Sequence, residues 1–409
     1  MSQKLNKTTI INDPIYGFIT IPNGVVFDLI NHKCFQRLRR VSQMGLSYMV
    51  YPGAHHTRFH HAIGCLHIMQ KALKTLKNKG VPISVEEEEA ALTAILLHDI
   101  GHGPFSHALE YSIILDVTHE QISLQLMQYL NTEFNGSLTL AIKIFKGDYN
   151  RPFLHQLVSS QLDMDRTDYL KRDSFYTGVA EGNINTDRII AMLNVHNEQL
   201  VIEEKGIYTV EKFLVARRLM YWQVYLHKTS LAAELQMIAT LKRARLMTIS
   251  GEKIETSEAL AYFLGKNNDN QLNEESMAKF TNLDDFDIIS SLKLWVKHDD
   301  FVLRELSKSL IDRKLFELKI RKKPINAQKL KERKEDFAKS NKLSFEESDY
   351  FIYDGQVSNQ GYNYTQGGIT ILQKNGKCLD IVKASDQLSL KVLTKVITKN
   401  YICYPKAKG

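Results

Sequence analysis

Apolar residues recur at helical spacing through most of the chain and at strand spacing towards its two ends. Residues 9–22 (TIINDPIYGFITIP) are rich in β-branched side chains and punctuated by Asp-Pro, Gly and Pro, which predicts short strands and turns. From Gly24 to about Met247 the pattern is mainly helical. Val25, Leu29 and Ile30 open one helix, Phe35, Leu38 and Val41 continue the next, and residues 61–78 and 86–99 carry apolar residues at helical intervals. Val85 is followed by four glutamates, which suit the positive end of a helix dipole. Residues 199–208 (QLVIEEKGIY) interrupt the pattern as a two-stranded hairpin, and 210–247 read as one long helix or two stacked ones.

Beyond Met247 the signal weakens. Residues 255–309 read as helical. Residues 312–342 hold twelve Lys/Arg against five Asp/Glu, with aliphatic residues at helical spacing, which reads as a solvated basic helix. The tail from Tyr350 carries strand signals, with Asn375-Gly376 between alternating apolar runs as a hairpin turn. The expected architecture is therefore mainly α with short β-hairpins and a small C-terminal α+β region. The boundary falls at Met247: a core of residues 1–247 with its strand segment in front, and residues 248–409 behind. No repeats or low-complexity linkers break the chain.

Composition adds constraints. The chain has 409 residues, 44% apolar and 24% charged, with a mild net charge of +7 that suits an anionic ligand without indicating nucleic acid. No run nears the 18 consecutive apolar residues of a membrane helix, and the first ten residues lack the apolar core of a secretory leader. Four scattered cysteines (Cys34, Cys65, Cys378, Cys403) form no CxxC pair or disulfide framework, so a cytoplasmic location without membrane attachment is expected.

Histidine is the unusual component: nine of fourteen fall between His55 and His119. At the centre is LLHDIGHGPFSH (96–107), an apolar helix that runs into His98-Asp99 and ends at glycines and a proline. Such an ending puts two metal-ligand side chains where the backbone turns towards a cavity. A His-Asp dipeptide alone is weak evidence; two further histidines follow here within nine residues.

These motifs resemble the HD superfamily, whose defining set is an upstream His, an adjacent His-Asp pair and a distant Asp. The resemblance assigns His61 in PGAHHTRFHHAIG, His98 and Asp99, and Asp165 in LDMDRTDYLKRD as metal ligands. The spacings are 37 residues from His61 to His98 and 66 from Asp99 to Asp165. Two imidazoles and two carboxylates suit a divalent metal such as Fe, Mn, Ni, Zn or Mg. Taken singly, His61 reads equally as a core histidine and Asp165 as a solvated helix acid.

Six motifs in order, NDPIYGFI, CFQRLRRVSQMG, YPGAHHTRFHHAIG, HDIGHGPFSH, THEQ and DMDRTDYLKRD, are similar to the deoxynucleoside triphosphate triphosphohydrolase (dNTPase) branch, over roughly residues 10–230. The resemblance implies an HD helical core in which water attacks the α-phosphorus of a dNTP, releasing deoxynucleoside and inorganic triphosphate. His102 would transfer a proton, paired with Glu110 where close relatives carry Asp, and His107 and His119 would line the phosphate site. Arg58, Arg166 (Lys in many relatives) and Arg217 would bind phosphates. Tyr169 and Asp173 would follow Asp165 along one helical stripe as a sugar wall and a 3′-hydroxyl acceptor, joined by Gln43. Tyr225 would crowd the sugar 2′-carbon; Leu226 beside it stands where relatives often carry Gln.

The branch is commonly activated by nucleotides bound between subunits. The matching positions are Asn12, Asn31 (an acid in the guanine-reading enzyme), Gln36 and Arg39, which implies a homo-oligomer, dimer or tetramer, with a possible nucleotide activator. Two alternatives remain open: an HD phosphohydrolase for another phosphoester, such as a nucleoside monophosphate or cyclic nucleotide, and a nucleic-acid-binding regulatory protein using the basic stretch at 312–342.

Overall fold

The structure, a computed structural model, describes residues 9–105, 117–265, 273–365, 367–386 and 389–406. Two strands, β1 (Thr9–Asp13) and β2 (Gly17–Ile21), pair antiparallel, and a helix α1 (Val25–Asn31) follows. The helical core is then built from α2 (Arg58–Asn78), α3 (Val85–Leu97), α4 (His119–Glu133), α5 (Thr139–Lys146), α6 (Pro152–Val158), α7 (Met164–Thr177) and α8 (Thr186–Met192). The protein is mainly α, with small sheets.

Local chemistry sets where the helices that carry the site begin. Ser84 and Glu87 form a capping box at the start of α3: the Ser84 hydroxyl accepts from the Glu87 amide at 3.1 Å, and the Glu87 carboxylate accepts from the Ser84 amide at 2.9 Å. Every residue from Ala90 to Leu97 is buried, so α3 is core on all sides and delivers His98-Asp99 from inside the protein. Thr118 and Gln121 make the same box at α4, within the THEQ motif. Asp163 caps α7 by accepting from the Arg166 amide at 2.6 Å, and Gly178, at φ 72°, ends it in the left-handed region that glycine tolerates.

The hairpin expected at 199–208 lies earlier. β3 (Leu193–His196) pairs with β4 (Gln199–Glu203) across Asn197-Glu198, both at positive φ, and Ile207 already begins the next helix. The turn residues were the missed signal: positive φ at two consecutive non-glycine positions is uncommon, so Asn-Glu does not read as a hairpin turn. The segment 210–247 is two helices. α9 (Ile207–Met220) passes into a π-helical turn over Tyr221–Tyr225, and α10 (Lys228–Ile249) restarts after His227.

Beyond Met247 come α11 (Glu258–Gly265), α12 (Glu274–Phe280), α13 (Asp285–Trp295) and α14 (Phe301–Ile311). β5 (Glu317–Arg321) and the exposed basic helix α15 (Ala327–Asn341) follow, and then β6 (Tyr353–Asn359), β7 (Thr370–Leu372), β8 (Cys378–Asp380) and β9 (Ile397–Tyr404). Asn375-Gly376 turns β7 into β8, with Gly376 at φ 82°. β7 runs parallel to β4, Ile202 opposite Ile371, in a sheet of order β3-β4-β7-β8; β5, β9 and β6 make a second sheet. One hydrophobic cluster includes residues from Ile19 to Leu393, on both sides of Met247, and a second gathers around α10, α14, β5, β6 and β9.

Two buried arginines shape the interior. Arg37 donates to the carbonyls of Ile100 and His102, both at 2.8 Å, and thereby clamps the loop after α3. Arg172 bonds Asp168 through Nε at 2.8 Å and Asp13 through Nη1 at 2.8 Å, tying α7 to β1. The pair lies against Gly64: a Cβ there would fall 2.1 Å from Asp168 Oδ1 and 2.2 Å from Arg172 Nη2. Gly64→Ala should therefore destabilise the fold by about 3 kcal/mol, the scale of disrupting a buried pair, on urea denaturation. Gly265→Ala, whose Cβ would meet nothing nearer than 3.6 Å among the described residues, should stay within about 0.5 kcal/mol of wild type. Equal stabilities for the two variants would show that the helices separate freely here.

Candidate functional site

Four side chains from three elements converge. His61 comes from the second turn of α2, His98 and Asp99 from the end of α3, and Asp165 from the first turn of α7. His61 Nε2 lies 3.1 Å from Asp165 Oδ1 and 3.7 Å from Asp99 Oδ2. His98 Nε2 lies 3.5 Å from both Asp99 Oδ1 and Asp165 Oδ1. Ligands on one ion at bonds of about 2.1 Å stand about 3.0–3.4 Å apart, so these separations are those of a donor set around one small cation.

The hydrogen bonds of the two imidazoles agree with that. His98 donates from Nδ1 to the Ile95 carbonyl at 2.6 Å, and its Nε2 is buried without a hydrogen-bond partner. His61 donates from Nδ1 to Asp168 Oδ2 at 2.8 Å, which turns its Nε2 towards Asp99 and Asp165. Burial opposes ionisation of Asp99, but His102, His98, Arg58 and His61 outweigh it and hold the carboxyl well below its usual range. Desolvation also opposes charge on the half-buried Asp165, but the neighbouring His61 and His98 imidazoles hold its carboxyl well below the usual range. Burial also opposes charge on Asp168, yet Arg172 keeps it down at about 2. The residues fit a divalent metal.

Cys65 sits one turn beyond His61, its Sγ 3.5 Å from His61 Nδ1 and 3.8 Å from the Met164 carbonyl, and His61, Cys65, His98 and Asp165 form one group able to hold an ion. Burial pushes its thiol well up, against the opposing pull of His61, so it stays protonated at neutral pH. Asp99, His102 and His119 form an adjoining group. His102 and His119 stack at 3.9 Å between ring centroids, and His102 Nδ1 is 3.3 Å from Asp99 Oδ1. Their approach depends on Gly101, where a Cβ would meet the His119 carbonyl at 2.3 Å.

Around this centre, Arg58 is ion-paired to Asp99. Tyr169, one turn past Asp165, has its ring 6.5 Å from His61 and 6.1 Å from Tyr225. Asp173, a further turn on, accepts from the Tyr225 hydroxyl at 2.8 Å and from His56 Nε2 at 2.7 Å. Arg217 donates to Gln161 at 3.3 Å, with its Nε buried and unpartnered, and Gln43 Oε1 is also buried and unpartnered. Arg166 turns to the Ser160 carbonyl and to Asp163, 3.2 Å away. His107 and Glu110 lie outside the described residues. Farther off, Asn12 is exposed on β1, Asn31 donates to the Phe27 carbonyl, Gln36 accepts from Arg39 at 2.8 Å, and Arg39 lies over the Phe59 ring.

The sequence reading omitted His56, Cys65, Asp168 and Gln161. Asp168 and Arg172 carried a signal, an acid–base pair at i, i+4 next to Asp165. His56 stood in the motif that supplied His61 and Arg58.

The HD domain matches residues 58–172, and the HD associated region matches residues 184–348. Uncharacterized protein YwfO of Bacillus subtilis is 33% identical over 77% of this chain and 72% of its own. A deoxynucleoside triphosphate triphosphohydrolase SAMHD1 homolog of Dictyostelium discoideum is 30% identical over 57% of this chain, which spans about half (48%) of that relative. A crystal structure of a phosphohydrolase from Bacteroides thetaiotaomicron superposes with a TM-score of 0.94 at 48% identity, covering 98% of this chain and 100% of the other. The chain belongs to the HD phosphohydrolase superfamily and has dNTPases among its relatives. HD domains bind divalent metals, so a divalent metal is its cofactor. Among the described residues no helix is long and apolar enough to cross a membrane.

Asp168→Asn should keep the ligand side chains and weaken metal retention about 10–100-fold, as loss of a carboxylate behind a ligating histidine does. Metal content after dialysis against a graded chelator measures it. Retention equal to wild type would mean that Asp168 serves only Arg172.

Proposed function

We propose that the protein hydrolyses deoxynucleoside triphosphates to deoxynucleosides and inorganic triphosphate, with His61, His98, Asp99 and Asp165 holding the metal. The observation that carries this reading is where buried polar atoms lack partners. His98 Nε2, Arg217 Nε and Gln43 Oε1 are all in that state. Buried polar groups are nearly always hydrogen-bonded, so such atoms on residues of one site anticipate a polar ligand. A relative named for the same activity supports it.

When bound, the metal supplies Lewis-acid polarisation of a phosphoryl oxygen. The chain's own residues supply the rest. Arg58, Arg166 and Arg217 bind the phosphates, and two of them must exchange partners to do so, Arg58 leaving Asp99 and Arg166 leaving the Ser160 carbonyl. Water attacks the α-phosphorus and the P–O5′ bond breaks. The departing alkoxide is a poor leaving group, and His102, stacked on His119, protonates its 5′-oxygen, with Glu110 as its carboxylate partner. His107 lines the phosphate site. Tyr169, Asp173, Gln43 and Tyr225 enclose the sugar, the Tyr225 ring leaving no space for a 2′-hydroxyl. Nucleotide activation at Asn12, Asn31, Gln36 and Arg39 between subunits of a homo-oligomer, and a cytoplasmic location, complete the proposal. The core of residues 1–247 carries the chemistry, with residues 248–409 supporting it.

Incubation of dGTP or dATP with Mn- or Fe-loaded protein, with and without added nucleotides, should yield deoxynucleoside and intact triphosphate on ion-exchange chromatography. Deoxynucleoside monophosphate as the main product would reject P–O5′ cleavage, and turnover of only a monophosphate or cyclic nucleotide would identify another phosphoester as substrate. His102→Ala should retain metal and lose about 10²–10⁴-fold in kcat; loss of metal together with rate would make His102 a ligand.

A further inference from the structure

We propose that His56 is a positioning residue for sugar selection: its imidazole holds the Asp173 carboxylate, and that carboxylate anchors the Tyr225 ring against the substrate sugar. The inference rests on the nucleotide-hydrolase reading above and adds a residue outside the metal and phosphate machinery.

His56 donates through Nε2 to Asp173 Oδ1 at 2.7 Å, and the Tyr225 hydroxyl donates to Asp173 Oδ2 at 2.8 Å, so one carboxylate joins the loop before α2 to the π-helical turn after α9. The His56 and Asp173 side chains are 0% and 4% exposed, so water does not compete for this bond. Since a carboxylate only accepts, the proton lies on Nε2. His56 Nδ1 is buried and has no partner among the described residues, where Asp173 is the ring's polar anchor. The ring plane is fixed separately: His56 stacks on Tyr176 at 4.4 Å with an interplanar angle of 14°. Its backbone is fixed as well, the His56 carbonyl accepting from the Gln43 amide at 3.0 Å.

Tyr225 needs such an anchor. It ends a π-helical turn, where the regular hydrogen-bond ladder gives way, and its ring makes edge contacts with Tyr169 at 6.1 Å and Tyr221 at 5.2 Å. Edge contacts allow a ring to slide by a fraction of an ångström; the bond to Asp173 removes that freedom. A carboxylate has about four lone-pair sites, so Asp173 can hold His56 and Tyr225 and still accept from a sugar hydroxyl. Without His56 the carboxylate would be free to turn, and the ring would follow it.

The test compares His56→Phe, which keeps the stacking and removes the donor, with His56→Gln, whose amide nitrogen occupies the Nε2 position. For His56→Phe the ratio of kcat/KM for dATP over ATP should fall about tenfold or more, the scale of one charge-assisted hydrogen bond. The change should appear as a rise in kcat/KM for ATP, with kcat for dATP within about threefold of wild type and metal content unchanged, because what is lost is the steric exclusion of the 2′-hydroxyl. His56→Gln should restore the ratio to within about threefold of wild type. If His56→Phe folds poorly by circular dichroism, His56→Asn, too short to reach Asp173, takes its place. An unchanged ratio in a folded, metal-replete variant overturns the inference, as does failure of glutamine to rescue or a parallel loss of metal. Wild-type protein that neither binds nor hydrolyses any dNTP overturns the nucleotide reading, and this inference with it.

Discussion

The contact between Asp168 and Arg172 ties the N-terminal hairpin to the candidate metal centre. Both side chains are fully buried, one turn apart on the same helix, and Arg172 reaches on to Asp13 at the end of β1. Burying such charges is costly, and apolar residues of similar volume often do as well for stability. What an apolar pair cannot do is accept from His61 Nδ1. With Asp168 in place, the imidazole is locked with Nε2 towards Asp99 and Asp165. The N-terminal hairpin, the helix that supplies His61 and the helix that supplies Asp165 thus meet at one carboxylate. Gly64 marks the closeness of that meeting, since no side chain fits between α2 and the pair.

The side chains that converge at the candidate metal centre were legible in the sequence, and what supports them was not. His61, His98, Asp99 and Asp165 could be named because ligand residue types recur in a fixed order, and α3 could be read as a buried helix because it is apolar on every side. The clamp on the loop after α3 depends on contacts 63 and more residues apart: Arg37 on the carbonyls of Ile100 and His102, and Asp285 accepting from the Phe105 amide at 2.9 Å. No periodicity reports such pairs. Local signals succeeded where a residue type has one strong use, as with Asn375-Gly376 between β7 and β8. They failed where the backbone adopts an unusual conformation with ordinary residues, as at Asn197-Glu198 and in the π-helical turn at Tyr221–Tyr225.

The region beyond Met247 does more than extend the molecule. Asp284 pairs with Arg40, and Asp285 bonds the amides of both Ser42 and Phe105, so the first turn of α13 holds two segments that flank the metal centre. The helix N-terminus favours acids, and here those acids also reach across to the loops. β7 adds to β4 on another side, and Tyr362, behind it, bonds Asp380 and the Ile369 amide. Loops that carry function are usually positioned by a rigid scaffold. In this chain the scaffold for the loop after α3 is assembled from residues nearly two hundred positions away.

The resting partners of the cationic residues bear on how a triphosphate would be selected. Arg58 lies on Asp99, and Arg166 lies on Asp163 and the Ser160 carbonyl. Each bond engages a guanidinium before any ligand arrives, which lowers the net gain on binding. A single phosphate that drew one arginine away would leave a carboxylate uncompensated. Under the proposed reading, a chain of phosphates beside a divalent cation would replace both, the cation compensating Asp99 and Asp165 and the phosphates taking the guanidinium groups. Such a site would discriminate by valence: an anion lacking either the length or the metal would have to break ion pairs without restoring them. The selectivity of such a site resides as much in the bonds it holds at rest as in those it makes with substrate.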